Sequence, residues 1–214
     1  KIDNFKFKKI NELKKISYFM RSRPKYTNKI DSSTGTNQMS KYFKNCLNFF
    51  DQTELNLKKK IKIYPRFHEA EFGWNHYNIW KKKKPYLDLI FSNEESLKFV
   101  YMKYDLLIYS YIGTGFLESL ALDKPFILIS SLDEWPLRNE VYQDFVELKK
   151  AKIFFEKNEE AITHLNDISL NCRTLWWETK YVINIKDNFK KKYAKLIKKK
   201  EKIKSIDKII NRII

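Results

Sequence analysis

Glycine is scarce in this chain. Gly35, Gly73, Gly113 and Gly115 are the only four in 214 residues, where average usage would place about fifteen. A residue retained so sparingly marks backbone positions that need it. Cysteine is rarer still. Cys46 and Cys172 lie far apart with no ligand spacing around either, which argues against a disulfide scaffold and a zinc site and favours a reducing compartment. No apolar run approaches the roughly 18 residues of a membrane-spanning helix. No secretory signal pattern is present, and because the chain opens on Lys1 rather than Met it is expected to be a piece of something larger. Acidic residues are outnumbered, 26 against 43 lysines and arginines, for a net charge of +17.

What is present belongs to a globular protein. Apolar residues make up 43% and aromatics 16%, enough for a packed core and too many for a disordered polyelectrolyte. The positive charge sits largely in runs, 58–60, 81–84 and 190–204. A solvated, lysine-biased surface is the bland explanation. Attraction to an anionic membrane or a polyanionic glycan is the sharper one. No nucleic-acid partner is expected, because no recognised nucleic-acid module accompanies the charge.

Apolar and amphipathic stretches alternate along the chain. Strands are expected at 16–20, 61–64 (stopped by Pro65), 87–91, 105–111, 125–130 and 152–155. Helices are expected at 38–52, 96–104, 113–122, 138–149, 158–166 with Asn158 as N-cap, and as one long or kinked segment over 174–200. Residues 66–80 read as a polar and aromatic loop that could hold a helical turn. The strands are continuously apolar, as strands buried on both faces are. The order implies an α/β fold with a doubly wound parallel sheet, Rossmann-like, and a long C-terminal helix. Residues 1–173 form the expected ligand-binding domain and 174–214 a helical segment. No internal repeat is visible, and Ile203, Ile206, Ile210 and Ile213 keep helical spacing in the basic tail. That tail suits a packing helix or a membrane-surface helix.

Ligands of such sheets bind beyond the carboxyl ends of the strands, so the loops after strands carry the candidates. Ser110-Tyr111-Ile112-Gly113-Thr114-Gly115-Phe116-Leu117-Glu118 runs from a buried strand into a helix. Free N–H groups at 113–116, aided by the hydroxyls of Ser110 and Thr114, suit a phosphate. Glu118, one turn on, suits ribose hydroxyls. The two glycines equally suit a plain tight turn, and the spacing is neither G-x-G-x-x-G nor a Walker loop. Tyr64-Pro65-Arg66-Phe67-His68-Glu69 offers a bidentate cation in Arg66 and an acid–base pair in His68 and Glu69. Arg21-Ser22-Arg23, with the Ser/Thr-rich 32–38, forms a second anion cradle. Trp135 can stack on a ring, and Arg138 can neutralise charge. His76, His164 and Cys46 read as packing groups, as do Trp176 and Trp177. No nucleophile elbow, H-E-x-x-H or metal-ligand cluster appears, so no metal is expected.

The stretch GTGFLESLALDKP at 113–125 resembles the phosphate- and ribose-binding helix of GT-B glycosyltransferases. In order, YFMRSRP, QMSKYF, YPRFHEAEFGWNHYNIW, GTGFLESLALDKP, EWPLRNE and the late LWW helix resemble a family of bacterial surface-carbohydrate transferases distantly related to Kdo transferases, over most of 16–195. The resemblance implies a metal-independent glycosyltransferase of surface-glycan assembly without a cofactor. Its substrate is a CMP- or UDP-linked sugar, with CMP slightly favoured by the likeness of Arg66 and His68 to the basic motif of sialyl- and Kdo-type enzymes. It also implies a glycan or lipid-linked acceptor, a missing N-terminal acceptor domain that the C-terminal helix crosses to meet, and a cytoplasmic location at the inner face of the membrane, with peripheral membrane contact. Gly113, Thr114, Gly115, Ser110, Arg66 and Arg21 would meet the donor phosphate, and Glu118, Trp135 and Arg138 its ribose or base. A non-hydrolysing nucleotide-sugar epimerase and a non-enzymatic basic module remain as alternatives.

Overall fold

The computed structural model describes residues 13–26, 35–56, 61–68, 72–170 and 176–195. Six strands form one all-parallel sheet: β1 (Lys15–Phe19), β2 (Lys62–Phe67), β3 (Ile90–Phe91), β4 (Leu106–Tyr109), β5 (Phe126–Ile129) and β6 (Phe154–Phe155). Their spatial order is β3-β2-β1-β4-β5-β6. The helices between and after them are α1 (Thr36–Asn56), α2 (His76–Lys83), α3 (Leu97–Lys103), α4 (Thr114–Ala121), α5 (Asn139–Lys150), α6 (Asn158–Leu170) and α7 (Lys180–Tyr193).

Both faces of the sheet are covered, and alternate residues of each strand divide between two cores. Ile16, Tyr18, Leu106, Ile108, Ile127 and Ile129 pack with α1, α2 and α6. Leu107, Tyr109, Phe126, Leu128 and Phe154 pack with α3, α4, α5 and α7. This is the doubly wound arrangement that uninterrupted apolar strands demand. No helix among the described residues is long and apolar enough to cross a membrane.

Four local expectations change. β2 continues through Pro65, which pairs with Tyr18. Arg66 turns its carbonyl to β1, where Met20 N–H donates to it, and Phe67 turns its own to Ser92 beside β3. By alternation the N atom of Pro65 faces β3, whose pairing begins one residue later at Arg66↔Ile90. The missing donor therefore costs no ladder bond. β3 is only two residues long, because Pro85 and the Leu87 N–H to Lys84 C=O turn (3.1 Å) occupy the residues before it. Within the expected loop 66–80, α2 begins after Gly73 (φ 82°) and Asn75 (φ 55°), both left-handed, and buried Trp80 anchors it edge-on against Phe67 at 5.5 Å. Over the described part of the expected 174–200 helix, residues 176–179 lie ahead of α7 and Ala194 ends it; α7 is started by Thr179, whose Oγ1 accepts from Val182 N–H at 3.3 Å. α7 buries Val182, Ile185 and Phe189 against this domain's own core. Trp177 is buried there too, its indole donating to Asp123 at 3.0 Å. The isoleucines beyond 195 and Cys172 lie outside the described residues.

Candidate functional site at the strand-order switch

The chain leaves β1 toward α1 on one face and β4 toward α4 on the other. The two strands are neighbours, so their loops diverge over a crevice. Phe19 and Tyr109 are in register, and Ser110 N–H donates to Phe19 C=O at 3.2 Å. Arg21 and Tyr111 therefore leave the sheet side by side.

A hydrogen-bonded chain holds the two exits together. Ser110 O–H donates to the Phe19 carbonyl at 2.7 Å. Its proton is thus committed, so the 2.6 Å contact with Tyr42 has Tyr42 as donor. Tyr42 oxygen in turn accepts from Arg21 N–H at 2.5 Å. Burial pushes the Tyr42 hydroxyl well above its ordinary pKa, keeping it protonated. Ser110, expected at the phosphate, ties β1, β4 and α1 together with its donor turned inward. Tyr42 was missed as a site residue, because in the sequence it is one more aromatic on an amphipathic helix.

The exposed side of the crevice is cationic. The Arg21 guanidinium stacks on Trp135, 4.3 Å from the ring centroid. The Trp135 loop is braced by Trp135 N–H to Ser131 C=O at 3.0 Å and by Gln38 Nε2 to Glu134 C=O at 3.3 Å. Burial, followed by the positive charge of Arg23, pushes the Arg21 pKa down, and the hydroxyls of Tyr42 and Tyr111 oppose this. Among the described residues no carboxylate pairs with Arg21 or Arg23. Two neighbouring guanidinium groups with no counter-ion among the described residues attract anions.

α4 opens on Gly113, which supplies no side-chain cap, so its first N–H groups are left for another acceptor. Both glycines serve close approach. A Cβ at Gly113 would run into the Tyr111 ring, and one at Gly115 would lie 2.8 Å from Tyr109 Cε1. Tyr111 is within electrostatic reach of both Arg21 and Arg23, which joins the helix start to the cationic pair. Thr114 is exposed at the first turn. Glu118 is exposed one turn on, where it accepts from Tyr101 O–H at 3.1 Å.

The second expected cluster disperses. Arg66 is 5% exposed. Its Nη2 donates to the Ser92 carbonyl at 2.9 Å and the Glu95 carbonyl at 2.6 Å, and its Nη1 lies 3.9 Å from the Glu95 carboxylate. That fork holds the turn after β3 instead of presenting a charge to solvent. His68 is exposed just past β2, and Glu69 lies outside the described residues. Arg138 is the exposed residue immediately before α5, and its side chain makes no capping bond.

Two clefts flank the crevice. One, of about 210 Å³, has Tyr42, Ser110, Trp135, Lys157 and Asn158 in its walls. The other, of about 260 Å³, brings Arg21, His68 and His76 together. Burial lowers the His76 pKa to about 4, so at neutral pH its imidazole is an uncharged acceptor and donor. His76 had read as packing, and nothing in its spacing separates the two roles.

The model of the LIC12162 family transferases matches residues 2–206. The chain belongs to that family. No curated protein and no solved structure matches it. A transferase must bind a group donor and stabilise what departs. In this LIC12162 family member the cationic and N–H groups gathered at the crevice are Arg21, Arg23 and the start of α4. Among the described residues, no group of three or more His, Cys, Asp or Glu side chains is placed to hold a metal ion. Cys46 is a buried core thiol beneath the crevice, its pKa raised to about 11 by burial.

Proposed function

We propose that this LIC12162 family transferase moves a glycosyl group from a nucleotide-sugar donor to a glycan or lipid-linked hydroxyl. The observation that carries the reading is the convergence, at the strand-order switch, of an arginine pair without a carboxylate partner among the described residues and a helix start without a side-chain cap. Phosphate is the ligand that best matches fixed N–H donors and guanidinium forks together. Trp135, already stacked with Arg21, offers a flat face for a ribose or base, and Glu118 offers a carboxylate for ribose hydroxyls.

The reaction needs little more from this domain. The acceptor hydroxyl attacks the anomeric carbon, and the bond from that carbon to the phosphate oxygen breaks. The electron pair leaves on the phosphate, and the acceptor proton passes to a base, for which His68 is the exposed candidate. Negative charge grows on the phosphate as the bond breaks. Arg21, Arg23 and the α4 N–H groups border the crevice where that phosphate would lie, and donors held ready there would lower the barrier. The same groups do the work that a divalent cation does elsewhere, so the transferase is expected to keep its activity in a chelator. The relation to GT-B and Kdo-type enzymes and the role in surface-glycan assembly belong to this proposal, supported by the motif order in the sequence.

A thermal-shift screen against CMP, UDP, GDP and dTDP tests it. A nucleotide at one hundred times its dissociation constant adds about 2.7 kcal/mol, or about 5–10 °C in a chain of this length. A shift with one nucleotide supports the reading. No shift with any of the four contradicts it. Turnover of the nucleotide sugar without an acceptor would make the enzyme an epimerase instead.

A further inference from the structure

We propose that the cleft between α1 and α6 holds the transferred glycosyl group, and that this group is an uncharged pyranose and not a sugar carboxylate. The inference rests on the nucleotide-sugar reading above. A nucleotide sugar carries its nucleoside on one side of the phosphate and its glycosyl group on the other. Glu118, the candidate for the ribose, stands on α4, which packs on the opposite sheet face from α1 and α6. The cleft of about 210 Å³ lies on the α1 and α6 side, and it shares Ser110 and Trp135 with the crevice. A group attached to a phosphate in the crevice can reach it, in the direction that the nucleoside does not take. Its volume is below the roughly 300–1,000 Å³ of sites that enclose a whole drug-sized ligand, so it suits a single ring with its substituents.

The walls favour hydroxyl groups. Ser130 follows β5 and is 5% exposed, and its Oγ is buried in the cleft wall without a hydrogen-bond partner. A buried hydroxyl left unpaired is costly, and a ligand hydroxyl in the cleft supplies the missing partner. Asn45 and Asn48, one turn apart at exposed positions of α1, add side-chain amides that both donate and accept. The spacing of the walls is fixed by two bonds between the helices. Asn158 Nδ2 donates to the Asn45 carbonyl at 2.9 Å, and Gln52 Nε2 donates to the Glu159 carboxylate at 2.7 Å.

The charge of the walls selects against a carboxylate. Glu134, Glu156, Glu159 and Lys157 line the cleft. Lys149 takes Glu156 at 2.7 Å, which leaves Lys157 against Glu134 and Glu159. The Gln52 bond, and then its own backbone N–H, hold the Glu159 carboxyl below its ordinary pKa, so it is ionised at neutral pH. A carboxylate on the sugar would set three negative charges against one positive. Among the described residues no arginine lines the cleft to receive it as a fork. The carboxylated sugars of sialyl- and Kdo-type enzymes are thereby disfavoured, in line with the burial of Arg66.

Calorimetric titration of the full chain decides it. The probes are the nucleotide that shifts the melting temperature, its hexose donor and the matching uronate donor (UDP, UDP-glucose and UDP-glucuronate, for example), with CMP-N-acetylneuraminate as a second carboxylated sugar. The hexose donor is expected to bind about tenfold or more tightly than both the nucleotide alone and the uronate donor. S130A is expected to weaken the hexose donor about tenfold and to leave the affinity for the nucleotide alone unchanged. It is expected to melt no lower than wild type, because it removes an unpaired buried hydroxyl. E134Q is expected to narrow the gap between the two donors. Equal or tighter binding of a carboxylated donor, a melting shift with CMP alone, no gain from the hexose, or an S130A protein that loses nucleotide and donor alike overturns the proposal and leaves the nucleotide-sugar reading standing. No melting shift with any nucleotide removes that reading and the proposal together.

Discussion

Arg66 and Arg21 are both arginines just past a strand end, and the environment separates them. Arg66 donates to two carbonyls and lies against Glu95 inside the protein. Arg66→Met removes that fork and leaves the Ser92 and Glu95 carbonyls without their donor, so a loss of about 2–4 kcal/mol is expected in urea unfolding, with nucleotide affinity retained by the folded fraction. Normal stability with lost affinity would return Arg66 to the phosphate. Gly115→Ala places a methyl against the Tyr109 ring, whose hydroxyl is fixed to Ser119 at 2.7 Å. The ring has little room to yield, and about 1–3 kcal/mol of destabilisation is expected from the same measurement. That glycines matter at 113 and 115 was legible from their scarcity. The reason they matter was not, since Tyr109 and Tyr111 approach them through tertiary packing. The same limit hid Arg66: a carbonyl 26 residues away is invisible in a local motif.

At the scale of elements, apolar runs were readable because a doubly covered sheet leaves them no polar face. All six strands were found from that feature, with ends displaced by at most three residues. Pro65 misled, because a proline tells which bond is missing but not which side of the strand it faces. α2 was hidden because its apolar stripe is only Tyr77 and Trp80, set among asparagines and lysines. α7 was overextended because lysine-rich sequence has good helix propensity and the stop at Ala194 has no glycine signal. Its start depends on one hydroxyl. Thr179→Ala is expected to cost about 1 kcal/mol in thermal unfolding, and Thr179→Ser far less. Tyr42→Phe tests the brace between α1 and the crevice. It leaves the Arg21 N–H without its acceptor and removes the donor to Ser110, so about 1–2 kcal/mol of stability is expected to be lost.

The whole molecule carries a pH signature apart from its function. His164 is 4% exposed, packed between Phe155 and Trp176. Burial first, and then Lys152, lower its pKa from 6.5 to about 4, against the opposing pull of Asp167. The unfolded chain therefore takes up a proton below pH 6.5 that the folded chain refuses. The stability held by the neutral imidazole is full above pH 6.5 and lost as pH falls toward 4, by about 3 kcal/mol. His76 acts in the same direction. Urea midpoints between pH 7 and 4.5 should fall, and His164→Phe should flatten the slope. An unchanged slope would show that His164 is not its source.

The doubly wound class and the region of the crevice were visible in element order, because ligand position follows topology in these sheets. What brings Arg21, Trp135 and the α4 start together is the placement of β1 beside β4, which no linear motif records. The most direct test of that convergence is calorimetric titration of the nucleotide that gives a melting shift into wild type and R21E/R23E. With two charge-assisted contacts removed, affinity should fall more than about a hundredfold while the melting temperature without nucleotide changes little. Equal affinity in the two proteins would place the anion elsewhere and contradict the account.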